Sequence, residues 1–231
     1  VALLFMSFND RKYMSIKENI KQLQHNIPDT VTLVAVSKTK PITAIQEAYD
    51  GGQRIFGENK IQEMSEKWEQ LPKDIQWHMI GHVQTNKVKF MIPYVSLIHS
   101  ADRLKLFKEI NKQAALVDRT VDVLLQVKIA QEDTKYGMPT PEAIAFLEGN
   151  QLDNYPNVNV IGLMGMASFT DDMTQVAAEF KVLESLFVRF RESKNLYTLS
   201  MGMSGDYQLA IENGSTMVRV GSAIFGARNY Q

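Results

Sequence analysis

The sequence predicts an α/β fold, a single (β/α)8 TIM barrel preceded by an N-terminal helix. Three observations carry that expectation. Eight short β-rich runs alternate with helical stretches, which leaves a doubly wound open sheet or a closed barrel. The fifth run, VDVLLQVKI, has one wholly apolar parity (Val121, Val123, Leu125, Val127, Ile129) and one mixed parity (Asp122, Leu124, Gln126, Lys128). A central strand of an open sheet has helices on both faces and is apolar on both, whereas a barrel strand turns polar groups inward near its mouth. Finally, no linker or low-complexity run divides the chain. One domain is expected over 1–231, with a leading helix over 8–28 and the barrel over 32–228.

Each element follows from its local pattern. NDRKYMSIKENIKQLQHNI (9–27) is amphipathic, with Asn9 or Asp10 as its N-cap. The strands are TLVAVSK (32–38), RIFGEN (54–59), WHMIGH (77–82), SLIHSA (96–101), VDVLLQVKI (121–129), VNVIGLMGMA (158–167), TLSMGMS (198–204) and TMVRVGSAIFG (216–226). The clearest helices are PITAIQEAYDGG (41–52), ADRLKLFKEINKQAALV (101–117), TPEAIAFLEGNQL (140–152) and DMTQVAAEFKVLESLFVRFRES (172–193). Pro41 and Pro141 fall where a first helical turn tolerates proline, and Gly51, Gly149 and Gly214 fall where helices stop. The longest irregular stretch, AQEDTKYGMPT (130–140), is expected to form a lid after the fifth strand.

Composition excludes several classes. With 231 residues, 45% of them hydrophobic, the chain can bury a sizeable core. A formal net charge of -1 gives no global basic field for nucleic acid or an anionic membrane. There is no cysteine, which removes disulfides, thiolate catalysis and Cys-ligated zinc. No apolar stretch approaches the roughly 20 residues that cross a bilayer. VALLFM is too short for a signal-peptide core, so a cytoplasmic location is expected.

Barrels of this type carry their sites at the C-terminal ends of the strands. Lys38 ends the first strand; Gly57, Glu58 and Asn59 end the second; Gly81 and His82 end the third. Met203, Ser204 and Gly205 end the seventh, and the eighth carries Arg219, Gly221 and Ser222. A lysine, an asparagine and an arginine therefore converge on one mouth, beside two Gly/Ser loops where these barrels often hold a phosphate. Pyridoxal 5'-phosphate needs such a set: a lysine for its aldimine, a cradle for its phosphate and a partner for its ring nitrogen. Burial lowers an ammonium pKa and frees the amine to attack an aldehyde, which assigns Lys38 to the Schiff base. Ser204, Gly205, Gly221 and Ser222 are assigned to the phosphate, and Arg219 to the pyridine nitrogen. Arginine is always a donor, so the ring nitrogen stays unprotonated and the ring is a poor electron sink.

Read singly, each residue has an ordinary explanation. Lys38 is a solvated lysine at a strand end, Arg219 half of a structural ion pair, and Asn59 a helix cap. Met164, Met166, Met201 and Met203 are packing residues. Their conjunction at one barrel face is the stronger signal. Other signals fail. His78 and His82, read on one strand, lie about 13 Å apart at roughly 3.3 Å per residue and cannot share a metal. His82 lines the mouth, while His25 and His99 are structural. GMSGD (202–206) misses the nucleophile elbow because position 206 is Asp206. Lys87 and Lys89 in GHVQTNKVK belong to a solvated face. No dinucleotide-binding or P-loop glycine motif occurs.

The segments VAVSKTKP, RIFGENKIQE, WHMIGHVQTNK, GLMGMAS and LSMGMSGDYQLAIENGSTMVRVGSAIFGAR resemble the pyridoxal-phosphate homeostasis proteins, the YggS-like family once called proline-synthase co-transcribed homologues. The similarity runs in order from the opening helix to Arg228. The resemblance implies a single barrel like the N-terminal domain of alanine racemase. It also implies an aldimine at Lys38, phosphate contacts from Ser204, Gly205, Gly221 and Ser222, a ring-nitrogen contact from Arg219, and Asn59 beside the ring. Lys60 departs from the aromatic or arginine expected there. The racemase's second domain, which supplies a catalytic tyrosine, has no counterpart before Gln231; Tyr136 on the lid is the nearest substitute. Two-base racemisation needs an acid on each face of the substrate. A carrier of pyridoxal phosphate is therefore expected, with Met203 and His82 completing the cofactor-binding set. Its partners would be apo forms of pyridoxal-phosphate enzymes, and the barrel would be a monomer. An amino-acid racemase and a phosphate-binding barrel without an aldimine are the alternatives.

Overall fold

The computed structural model describes residues 15–132 and 135–226. Helix α1 (Ile16–Asn26) leads into β1 (Thr32–Val36), α2 (Ile42–Asp50), β2 (Ile55–Glu58), α3 (Ile61–Gln70) and β3 (Gln76–Met79). A 3-10 turn (Thr85–Phe90) precedes β4 (Val95–Ala101) and α4 (Leu104–Ala115). Then come β5 (Val121–Lys128), the two-residue β6 (Met138–Pro139), α5 (Thr140–Glu148) and β7 (Val158–Met164). The described residues end with α6 (Met173–Phe190), β8 (Thr198–Met203), α7 (Tyr207–Glu212), β9 (Met217–Val220) and α8 (Ser222–Phe225). The long strands pair in parallel in the order β4-β3-β2-β1-β9-β8-β7-β5, and a β4–β5 pairing closes the ring. This is the expected (β/α)8 barrel with a leading helix.

Strand parity separates two cores. The outward parity of β5 (Val121, Val123, Leu125, Val127) joins one apolar layer under the helices, with Leu33 and Ala35 of β1, Phe56 of β2, and Phe180 and Leu183 of α6. A second, smaller cluster fills the lumen: Val34, Leu97, Leu124, Ile161, Met164 and Met217. Leu124 belongs to the mixed parity, as a barrel requires.

Several boundaries differ from the sequence reading, each for a local reason. The helix expected from position 9 begins at Ile16; Asn9 and Asp10 lie outside the described residues. Ser15 caps it instead, accepting from the Glu18 N–H while the Glu18 carboxylate accepts from the Ser15 N–H, a reciprocal capping box. The run read as one strand over 216–226 is a four-residue strand, then Gly221, then α8. β3 stops at Met79, so His82 lies in the following loop and the strand distance assigned to His78 and His82 does not apply. Pro41 is the N-cap of α2 rather than a first-turn residue. The stretch expected to form a lid contains β6, which pairs with the end of β5 through Val127–Met138 and Lys128–Pro139.

Candidate functional site

All nine residues that the sequence assigns to the cofactor line one cavity of about 740 Å³ at the C-terminal mouth of the barrel. Lys38 comes two residues after β1. It continues the inward parity of Val34 and Val36, which places it on the cavity wall, half-buried. Arg219 is next to β1 in register, with Val34 and Arg219 as direct neighbours across the β1–β9 pairing. The two basic side chains therefore stand at the mouth ends of adjacent strands of one wall.

Asn59 reaches the cavity because the loops after β2 and β3 touch. A Cβ on Gly81 would lie 2.5 Å from the Asn59 carbonyl oxygen, so that approach requires glycine. His82 sits at the rim, its Nδ1 3.4 Å from Asp102 Oδ2 and its ring stacked on Tyr136 at 4.3 Å. The loops after β8 and β9 meet directly: the Gly221 N–H donates to Ser204 Oγ at 3.1 Å. Gly205 faces open space, with nothing within 4 Å of where a Cβ would stand. Met203 donates its N–H to Asp206 Oδ1 at 2.5 Å, which fixes the turn between β8 and α7.

Arg219 is buried and hydrogen-bonded to neutral acceptors, Ser200 Oγ at 2.7 Å and the Gly165 carbonyl at 3.1 Å. Burial lowers its pKa to about 10, with the Asp206 charge opposing that shift, so it remains a cation at neutral pH. The same lowering of charge tolerance governs the floor beneath it. His99 Nδ1 lies 3.1 Å from Ser200 Oγ, and its Nε2 lies 3.0 Å from His78 Nδ1. Burial pushes His78 down to about 3 and His99 well below the ordinary histidine value, so both are neutral imidazoles. A line of neutral donors and acceptors thus ends on the guanidinium. Burial also pushes the Asp206 carboxyl up, against the Met203 N–H and the Arg219 charge.

Several cavity residues were not singled out by sequence. Lys40 lines the wall and donates to the Phe225 carbonyl at 3.0 Å. Ser168 to Asp171, after β7, form another wall. That loop is tied down by Glu179, which accepts from the Ser168 N–H at 2.6 Å and the Ser168 hydroxyl at 2.7 Å. Glu179 is a buried acid on the apolar face of α6, a pattern break visible in the sequence. Lys60 stands outside the cavity, at the N-cap of α3. Among the described residues no group of three His, Asp or Glu side chains could hold a metal.

This donor set fits a phosphorylated aromatic aldehyde. A primary amine and a buried guanidinium share one wall, and two small-residue loops adjoin them with a clear space at Gly205. The arrangement supplies a primary amine, a fixed hydrogen-bond donor and room for an anion.

Comparison with known proteins agrees. The family described as alanine racemase, N-terminal domain, matches residues 12–229. The chain is 38% identical to the pyridoxal phosphate homeostasis protein of Pasteurella multocida, over 94% of this chain and 99% of that one. It is 41% identical to the human protein of the same description, over 100% of this chain and 87% of that one. Among solved structures, PipY of Synechococcus elongatus with PLP bound superposes with a TM-score of 0.83 at 34% identity, covering 91% of this chain and all of PipY. A barrel with this site, matched along nearly its whole length, places the chain in the pyridoxal phosphate homeostasis protein family, built on the alanine racemase N-terminal domain.

Proposed function

We propose that this protein binds pyridoxal 5'-phosphate and serves its homeostasis, holding the cofactor through a covalent C=N bond at Lys38 without robust catalytic turnover. The observation that carries the reading is the placement of Lys38, just past β1, and Arg219, on the neighbouring β9, in one cavity whose rim includes two touching Gly/Ser loops. The bound cofactor supplies an electrophilic aldehyde. Lys38 would hold the cofactor there, presenting its primary amine to that carbon. Ser204, Gly205, Gly221 and Ser222 receive the phosphate through hydroxyls and backbone N–H groups. Arg219 donates to the pyridine nitrogen, and Asn59, His82 and Met203 bound the ring. The hand-over of cofactor to apo-enzymes is the corresponding partner interaction, from a monomer in the cytoplasm. No described helix is long and apolar enough to cross a membrane.

A racemase is the second reading, favoured by one observation: the Tyr136 phenol borders the cavity. Borohydride reduction of the cofactor-loaded protein, followed by peptide mapping, tests the first. The expected result is a visible band that reduction abolishes, with the reduced cofactor fixed at Lys38 and no such product in Lys38→Ala. An unmodified Lys38 overturns the covalent assignment. Rapid solvent-deuterium incorporation at the α-carbon of an amino acid, dependent on Lys38, would instead establish the racemase.

A further inference from the structure

Directly behind Lys38, in the outer layer, lies a polar cluster, buried at Lys67 and Glu58 and reaching the surface at Glu63, that the site does not use. Lys67 of α3 is 5% exposed. Its ammonium donates to the Ser37 carbonyl at 2.8 Å, to Glu58 Oε1 at 2.7 Å and to Glu63 Oε1 at 2.7 Å. The Ser37 hydroxyl donates to the same Glu58 oxygen at 2.6 Å. Glu63 Oε1 also accepts from the Thr39 N–H at 2.5 Å. The residues on both sides of Lys38 are therefore gripped by one charged network, while Lys38 itself points the other way, into the cavity.

The backbone at Thr39 shows what the grip does. Thr39 has φ +64°, in the left-handed region. A β-branched residue there is a strained outlier and persists when its surroundings over-determine it. A buried ammonium and two carboxylates also form a costly way to stabilise a fold, since apolar packing of similar volume often does as well. The cost is intelligible if the cluster holds a particular backbone geometry.

We propose that Lys67, with Glu58 and Glu63, is a positioning device that fixes the Ser37–Thr39 backbone so that the Lys38 amine is presented to the cofactor aldehyde. The inference rests on the function proposed above and deepens it by naming residues outside the cavity that set the amine's reactivity. Lys67, Glu58 and Glu63 touch no ligand; they act through the peptide units flanking Lys38.

The test has one arm without cofactor and one with it. In the ligand-free protein, amide hydrogen exchange at Thr39 reads the grip directly. Losing a charge-assisted hydrogen bond is expected to speed exchange in Glu63→Ala about tenfold or more, with Glu63→Gln close to wild type because it keeps an acceptor. In the second arm, borohydride-quenched mass spectrometry follows the rate at which pyridoxal phosphate becomes fixed at Lys38. That rate falls about tenfold in Glu63→Ala and in Lys67→Met. Adding Thr39→Gly to Glu63→Ala recovers most of the attachment rate, because glycine adopts the left-handed conformation without strain. A merely structural role predicts no such rescue. Folding of each variant is checked by circular dichroism. Wild-type exchange at Thr39 together with wild-type attachment in a folded Glu63→Ala overturns the proposal. A wild-type protein that never links the cofactor at Lys38 defeats the functional reading instead, and the exchange arm still decides the grip.

Discussion

The space outside the barrel and the space inside it are built from different chemistry. Between strands and helices the core is mostly apolar, with Phe56, Trp77, Phe107 and Phe180 fully buried, and its polar exceptions, the Lys67–Glu58 cluster and Glu179, are tied up in local networks. Inside, a thin apolar plug (Val34, Leu97, Leu124, Met164) is shared with His78, His99, Ser200 and Arg219, each buried and hydrogen-bonded. One layer is nondirectional and stabilises in proportion to area; the other is directional and aims donors at the mouth. Alternating parity lets each strand serve both layers, so stability and binding are largely written in different residues.

The sharpest way to break this division is to cut each layer separately. In the outer layer, Phe180→Ala is expected to cost about 3–5 kcal/mol in urea denaturation, while the protein that remains folded still binds at the mouth. In the lumen, the expected weakness is to acid. An unfolded histidine titrates near 6.5 and His78 in the fold at about 3. Between those values the unfolded chain takes up the proton and the fold does not. Stability is therefore complete above pH 6.5 and falls as the pH drops toward 3, by about 1.4 kcal/mol per pH unit for each such histidine. Melting between pH 7 and pH 4.5 reads the slope, which His78→Gln should reduce. A pH-independent melting temperature across that window would place the proton load elsewhere. The smallest effect is expected at the rim. Phe169 is 91% exposed on the wall after β7, and Phe169→Ser should change stability by no more than about 0.5 kcal/mol.

Much of the barrel was legible because parity is a local property. The mixed face of VDVLLQVKI is enough to turn Leu124 inward, and the same alternation carries Val34 and Val36 on to Lys38. The site residues at strand ends follow once the strands are ordered in a ring. Register was not legible. Nothing local says that Ser200, His99 and His78 form one line, because those contacts span 101 and 21 positions of sequence. The Lys67 network left a trace that reading by type overlooked. Ser37 and Glu58 break the apolar outward parity at the ends of their strands, and Glu63 and Lys67 stand four residues apart on one helix. The last run was misread because SAIF is apolar enough for a strand, yet the chain turns at Gly221 into α8.

The segment between β5 and α5 has a consequence for cargo release. Its downstream flank is fastened: β6 pairs with the end of β5, and Gln126 donates to the Tyr136 carbonyl at 2.8 Å. Its upstream flank is fastened too, with the Gln131 N–H on Glu179 and the Phe169 N–H on Glu132. Each flank is held by contacts that would have to break before it moved. On the proposed function, a vitamer leaving past these flanks would require either those contacts to break or the Lys38 link to be exchanged by water or a competing amine at a mouth that stays as it is.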